Sequence, residues 1–232
     1  MRLFLIPDVH EEWEKARKFR EKAALSRVDG VVWFGDFLDS FNHTEESLSG
    51  TIELVGDILE SDDVILFGNH DIQYLFNCRE FMCSGYRRDT MDEIRESGIA
   101  DDWAVLGQSI YAVDGWWLSH AGVGPVVFDR YSSAEDIEVE SRIQLNDRIL
   151  SLLTGAGYYR GGFHAEGGPM WLNWNMEFKP IEGVNQVVGH TKSAEILRSK
   201  SGKKSLNYCI DNGLQACFIL DTKTGQMETV TL

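Results

Sequence analysis

The chain reads as an α/β protein with its strand types segregated along the sequence, an α+β trait: two mixed sheets packed face to face with helices outside. Three observations predict this. Five short apolar runs each end in residue types that can ligate a metal, reading in order LFLIP-DVH, VVWF-GDFLD, VILF-GNHD, WWLS-HAG and QVV-GHT; runs of this kind are strands buried on both faces. A helical stretch separates the first two runs. The C-terminal third breaks into short runs divided by SGKK, DNG and TKTG, the turn signals of antiparallel strands.

Taken in order, LFLIP is the first strand. From Glu11 to Arg27, Trp13, Ala16, Phe19 and Ala23 recur at helical spacing among charged residues, which makes this the crossover helix to VVWF. A shorter helix, Leu48 to Glu60, leads to VILF in the same βαβ manner. Gln73 to Asp89 is aromatic and sulfur-rich without alternation; a helix packed against the body is favoured over a substrate-facing lid, because Met and aromatic residues are usually core. Ile137 to Leu153 resumes a helical pattern. Gly155 to Gly168 holds six of the chain's 22 glycines, predicting a mobile loop that could close as a flap. Ala194–Lys200, Ser205–Ile210, Ala216–Asp221 and Gln226–Thr231 are the expected final strands. No linker or repeat divides residues 1–232, so one domain is expected.

Loops leaving the carboxyl ends of strands collect polar side chains around a ligand in open α/β sheets. Asp8, His10, Asp36, Asn69, His120 and His190 are therefore expected near one point. Two divalent cations a few Å apart repel, so a carboxylate must bridge them while imidazoles and neutral oxygens complete each shell. Asp36 is the natural bridge and Asn69 the neutral oxygen. His10, His70, His120 and His190, four of the six histidines, fall in these motifs. Such a nitrogen and oxygen mixture suits Mn, Fe, Zn, Co or Ni better than Mg or Ca, and two Mn ions are the first choice. Singly, each motif has a bland explanation: Asp-x-His is common, and GNHD can be a turn whose Gly and Asn accept positive φ. The ordered set is what carries the reading. His43 and His164 lie outside it and are expected to be solvent-exposed loop side chains.

With these motifs in this order, the chain resembles the calcineurin-like metallophosphoesterases. WLSHAG, MWLNW, VVGHT and YCIDNG are similar to elements of the phosphoprotein phosphatases and the symmetrical diadenosine tetraphosphate hydrolases. The resemblance implies a four-layer α-β-β-α sandwich. It assigns Asp8, His10 and Asp36 to one metal, and Asp36, Asn69, His120 and His190 to a second. His70 would be the general acid and Asp39 the carboxylate that orients it, since a paired carboxylate keeps an imidazolium protonated. Departures are visible too. Ser40 follows Asp39 where phosphoprotein phosphatases carry a phosphate-gripping Arg, Asn173 stands in MWLNW where a second Arg is usual, and DVHE and GNHD replace D-x-H-G and GNHE. Arg160, in YYRGGF, is the candidate replacement for phosphate contact beside Asn69 and His70, set against a plain surface charge on a flexible loop.

Composition bounds the partners. Lys+Arg 22 against Asp+Glu 37 leaves a net charge of −15, with no basic run longer than pairs such as Arg87-Arg88 and Lys203-Lys204. Stable nucleic-acid binding, which relies on Lys and Arg, is disfavoured. No apolar window suggests a membrane span, and LFLIP runs straight into Asp8, Glu11 and Glu12, unlike a signal peptide. Cys78, Cys83, Cys209 and Cys217 lack zinc or redox spacing, so reduced thiols in a cytoplasmic protein are expected. The expected activity is hydrolysis of a phosphoester by a water activated between two metals, first as a phosphomonoesterase of the serine/threonine protein phosphatase type. Nucleotides or dinucleoside polyphosphates are the alternative substrates. A non-catalytic binding module with the same fold is disfavoured by the intact ligand set with His70 and Asp39.

Overall fold

The computed structural model describes all residues, Met1–Leu232. The chain runs β1 (Arg2–Ile6), α1 (Trp13–Leu25), β2 (Gly30–Trp33), α2 (Glu45–Leu59), β3 (Val64–Ile65), α3 (Asn69–Leu75), α4 (Arg88–Ser97), α5 (Ile99–Leu106), β4 (Ile110–Val113) and β5 (Trp116–Ser119). It continues with α6 (Pro125–Tyr131), α7 (Ala134–Asn146), β6 (Asn185–Val188), β7 (Arg198–Gly202), β8 (Ser205–Cys209), β9 (Cys217–Asp221) and β10 (Met227–Val230). One sheet has the order β10-β9-β1-β2-β3 and the other β4-β5-β6-β8-β7. Strands β1, β2 and β3 are parallel, as are β5, β6 and β8, and the antiparallel members lie outside each trio.

Alternation along β1 explains the layering. Leu3 and Leu5 point between the sheets, into a core with Val32, Phe34, Trp116, Leu118, Val187 and Phe218. Phe4 and Ile6 point the other way, against Ala16, Phe19 and Ala23 of α1 and Leu54, Val55 and Ile58 of α2. The outer face of the second sheet is covered at Ile110 by Val127 of α6 and Ile137 of α7. The result is the expected α-β-β-α order, because a strand apolar on both faces must find a partner layer on each. No helix is long and apolar enough to cross a membrane.

Several expectations need correction. The C-terminal strands divide between the sheets, β7-β8 joining the second and β9-β10 the first, and β8 also pairs parallel with β6. Of the Ala194–Lys200 run, only the part from Arg198 is strand. VILF supplies just Val64–Ile65, and β4 was not foreseen, being a four-residue edge strand with mixed burial. The helix expected to reach Leu153 ends at Asn146, where Arg148 takes φ +56° and anchors its Nε to the Phe76 carbonyl at 2.9 Å. Gln73–Asp89 is not a packed helix. It holds the end of α3, a single 3₁₀ turn at Arg79–Phe81 and a loop that borders the main cavity through Met82, Cys83, Ser84, Gly85 and Arg87.

The strand ends are where the backbone is strained. His10, Glu11, Asp36, Asp39 and His190 all have positive φ between 45° and 63°, a region costly for side chains other than glycine and tolerated where the surroundings over-determine it. Gly68 lets two of these ends touch: a Cβ there would overlap the Asp36 amide and carboxylate. Gly68→Ala should therefore lower Tm by roughly 2 to 10 °C, the range for overpacking a chain of this size. Gly56→Ala, in open space on α2, should leave Tm unchanged or raise it; equal behaviour of the two variants in thermal denaturation would contradict the close contact.

Candidate metal centre

Five strand ends bring their polar residues to one place. Asp8 and His10 follow β1, Asp36 follows β2, Asn69 opens α3 after β3, His120 follows β5 and His190 follows β6. The first two loops are laced together: the amides of Val9 and His10 donate to the Asp36 carbonyl at 3.1 and 2.7 Å. The His190 amide donates to the Asp8 carboxylate at 3.0 Å, and that of His70 to Asp36 Oδ1 at 2.9 Å. Two groups of possible ligand atoms result, Asp8 with His10 and Asp36, and Asp36 with His120 and His190. All six residues expected at the centre are there, and Asp36 stands in both groups.

The placement of protons in the donor set fits a cation. His120 Nδ1 lies 2.5 Å from the Phe34 carbonyl and must carry the N–H, which leaves Nε2 as a lone pair in the neutral ring. That Nε2 is 3.2 Å from Asn69 Oδ1, 3.1 Å from His190 Nδ1 and 3.3 Å from Asp36 Oδ2. Two of these three, the Asn69 and Asp36 oxygens, can only accept. His10 Nδ1 is similarly turned to the Leu38 carbonyl at 3.1 Å, leaving Nε2 toward Asp36 at 3.8 Å. His190 Nε2 is buried without a partner. Rings fixed from behind by backbone carbonyls, with lone pairs facing carboxylates, are what a divalent cation requires.

Electrostatics point the same way. Burial and the neighbouring Asp211 push the Asp8 carboxyl well above the usual carboxylate range. Burial would do the same to Asp36, but the His120 and His70 rings outweigh it and hold Asp36 well below that range. His120 is disfavoured as a cation by burial, yet Asp36 and Asp8 push it up to about 9. Burial, with His120 and Arg160 adding, drives His190 well below its ordinary value. The same carboxylates that favour a proton on His120 would favour a cation, whose binding would displace that proton.

His70 stands beside this cluster. Its ring centroid is 5.4 Å from that of His10, and its Nδ1 meets Asp39 Oδ2 at 2.8 Å. Asp39 is held in turn by Gln73 Nε2 and the Tyr74 hydroxyl, both at 2.5 Å. Burial works against a charged His70, but Asp36 and Asp39 push it up to about 12. Arg160 is half-buried rather than a loose surface charge. Its Nη2 donates to Thr191 Oγ1 at 3.1 Å, and its Nε is buried without a partner. Trp174, next to Asn173, donates its amide to the same Thr191 hydroxyl at 3.1 Å, so Arg160 sits near the position where the Asn173 departure was noted.

Neither remaining histidine is the exposed loop side chain that was expected. His43 is held at 2.9 Å by the buried Glu11 carboxylate, and His164 lines the cavity. The cavity measures about 620 Å³ and is also bordered by Lys192, Trp171 and Asp211. Asp211 and Cys83 were missed. Asp211 did have a signal, because β8 also ends in an apolar run followed by Asp, the pattern used elsewhere. Cys83 did not: its Sγ reaches within 3.6 Å of His70 Nδ1 from a loop with no periodicity.

A sequence profile of calcineurin-like phosphoesterases matches residues 1–193. The chain belongs to the calcineurin-like phosphoesterase family. It is therefore a hydrolase of phosphoric esters, in a family that works with divalent metals. A cold-active protein-tyrosine phosphatase of a psychrophilic Shewanella has a similar structure, with a TM-score of 0.63 and 16% identity over 99% of this chain and 80% of that one. A protein serine/threonine phosphatase from Saccharomyces cerevisiae, with similarity to human phosphatase PP5, gives a TM-score of 0.50 and 12% identity over 100% and 80%. At such identities the likeness is one of fold. No curated protein matches the chain by sequence.

Asp36→Asn removes the charge common to both ligand groups. In this phosphoesterase, elemental analysis should show the metal content of the variant falling well below that of the wild type, with the fold intact by circular dichroism. Two tightly held ions in the variant would overturn the shared role of Asp36.

Proposed function

We propose that this phosphoesterase uses a binuclear metal centre to hydrolyse phosphomonoesters, with phosphoserine and phosphothreonine side chains of proteins as the substrate class. The observation that carries the reading is the convergence of lone pairs from five strand ends beside a histidine already locked to a carboxylate. Asp8, His10 and Asp36 would hold one cation, and Asp36, Asn69, His120 and His190 the other, with Mn the first candidate. Cations bound there would shield the charge on the phosphoryl oxygens and acidify a water for attack on phosphorus.

The chain's own residues supply the rest. Asp39 keeps the Nδ1 proton of His70, so the proton to be transferred is the one on Nε2, and it passes to the departing oxygen. Tyr74 and Gln73 fix Asp39, so the imidazole cannot turn as it loses charge. Arg160, anchored by Thr191, has an unpaired N–H for a phosphoryl oxygen and supplies the fork that Ser40 and Asn173 do not. Phe41 and Phe163 border the cavity, and both rings are largely exposed. They offer apolar area that residues flanking a phosphorylated side chain can cover. Nucleotides and dinucleoside polyphosphates form the second reading, favoured by the changed guanidinium set and by a cavity of about 620 Å³, which is roomy enough for a drug-sized ligand.

A panel of phosphopeptides, nucleotides and diadenosine tetraphosphate, assayed with Mn, separates the two readings, and no turnover of any member would sink both. His70→Asn should keep its metal but slow turnover by about 10² to 10⁴ for esters with poor leaving groups. An activated aryl phosphate should suffer much less, since its leaving oxygen needs little protonation; equal losses on both would argue against a proton-donor role. For Arg160→Ala, kcat/KM should fall by about 10- to 100-fold, through both constants and without loss of metal. Lys at this position should restore only part of it. Wild-type kinetics in Arg160→Ala would return that residue to the surface.

A further inference from the structure

Beyond His70 the cavity wall carries a cation that the proposed reaction does not use. Arg87 is fixed from two sides: its amide donates to the Tyr74 hydroxyl at 2.9 Å, and its Nη2 to the Ser40 carbonyl at 3.1 Å. Nη1 lies 4.0 Å from Asp39 Oδ1 and is buried without a hydrogen-bond partner. Asp39 Oδ2 is shared by His70 and Gln73 and Oδ1 accepts from Tyr74, so Asp39 meets Arg87 only as an ion pair at 4.0 Å. The side chain as a whole is 31% exposed and borders the cavity. A guanidinium held rigid and partly exposed at the cavity wall, its charge met by Asp39 only across 4.0 Å, is a site for an anionic oxygen. Its location gives the direction. Arg160 is tied to Thr191 at the His190 end of the cavity, whereas Arg87 shares Asp39 with His70, the residue assigned to the departing oxygen.

We propose that Arg87 binds a second anionic group, phosphate or carboxylate, carried by the leaving portion of the substrate; this rests on the phosphoester reading and the role it gives His70. The site then prefers phosphoesters or phosphoanhydrides whose leaving group is itself charged. Calorimetric titration of the Mn-loaded protein, with free Mn in excess, metal content checked afterwards and phosphate release followed alongside, tests this and separates binding from turnover of pyrophosphate or 2-phosphoglycolate. Orthophosphate is compared with pyrophosphate and with 2-phosphoglycolate, whose second group is a carboxylate. The wild type should bind at least one two-anion probe more tightly than orthophosphate, and the tighter probe names the group. In Arg87→Ala that preference should shrink by about tenfold or more, with Arg87→Lys between the two. Arg87→Gln serves if the alanine variant lowers Tm. No preference in the wild type, an unchanged preference in the variants, or equal weakening of all three ligands overturns the proposal; the last would make Arg87 a positioning residue acting through Asp39. Orthophosphate binding without the preference would leave the phosphoester reading standing while this one fails.

Discussion

Buried negative charge is the constraint around which the molecule is arranged. Asp8, Asp36, Asp71 and Asp211 are each no more than 3% exposed and lie around one point at the edge of the two sheets. Carboxylates out of water are costly unless paired. The chain answers with amides, imidazoles and protons: Asp71 accepts from the Phe37 and Gly68 amides at 2.9 and 3.1 Å, and still burial and Asp36 push it up to about 7. Even so, the cluster has more acceptors than donors. Divalent cations bound there would relieve that imbalance and would thereby add to the stability of the fold.

The two-sheet architecture makes such crowding possible. Parallel trios in both sheets aim their carboxyl ends toward the same region, so five short loops meet without any long excursion of the chain. Close approach then demands unusual backbone, which appears as positive φ at His10, Asp36, Asp39 and His190, and as the bare contact of Gly68 with Asp36. Strain of this kind is tolerated because strand pairing and the inter-loop hydrogen bonds leave no relaxed alternative.

The departures from the family's motifs prove to be coupled. Glu11, in DVHE, takes φ +61° and sends a buried carboxylate to the Ser40 amide at 3.1 Å, to His43 Nδ1 at 2.9 Å and to Ser47 Oγ at 2.5 Å. It thereby binds the loops after β1 and β2 to the start of α2. Ser40, in place of an arginine, leaves its carbonyl to anchor Arg87. Asn173 has become a turn former, its Oδ1 accepting from the amides of Asn175 and Met176 at 3.0 and 3.1 Å. Guanidinium groups come to the cavity from Arg87 and Arg160 instead, both outside the strand-end motifs, beside Lys192 just after GHT.

Though the pairing of His70 with Asp39 came through the family resemblance and the sandwich through the order of strands, the sequence by itself determined the polar strand ends and the helices α1 and α2. Each of these is local: an apolar run followed at once by a polar residue, or a period of side chains along a helix, is written in consecutive positions. Only the tertiary structure decided which sheet each C-terminal hairpin joins, since hairpin turns specify a partner within the pair but not the neighbour beyond it. It also decided that Glu11 reaches His43, that Asp211 closes on Asp8, and that Arg87, Arg160 and Cys83 turn into the cavity. These contacts join residues tens to hundreds of positions apart through loops without periodicity, and their geometry arises only when the sheets have packed and the strand ends have been brought together.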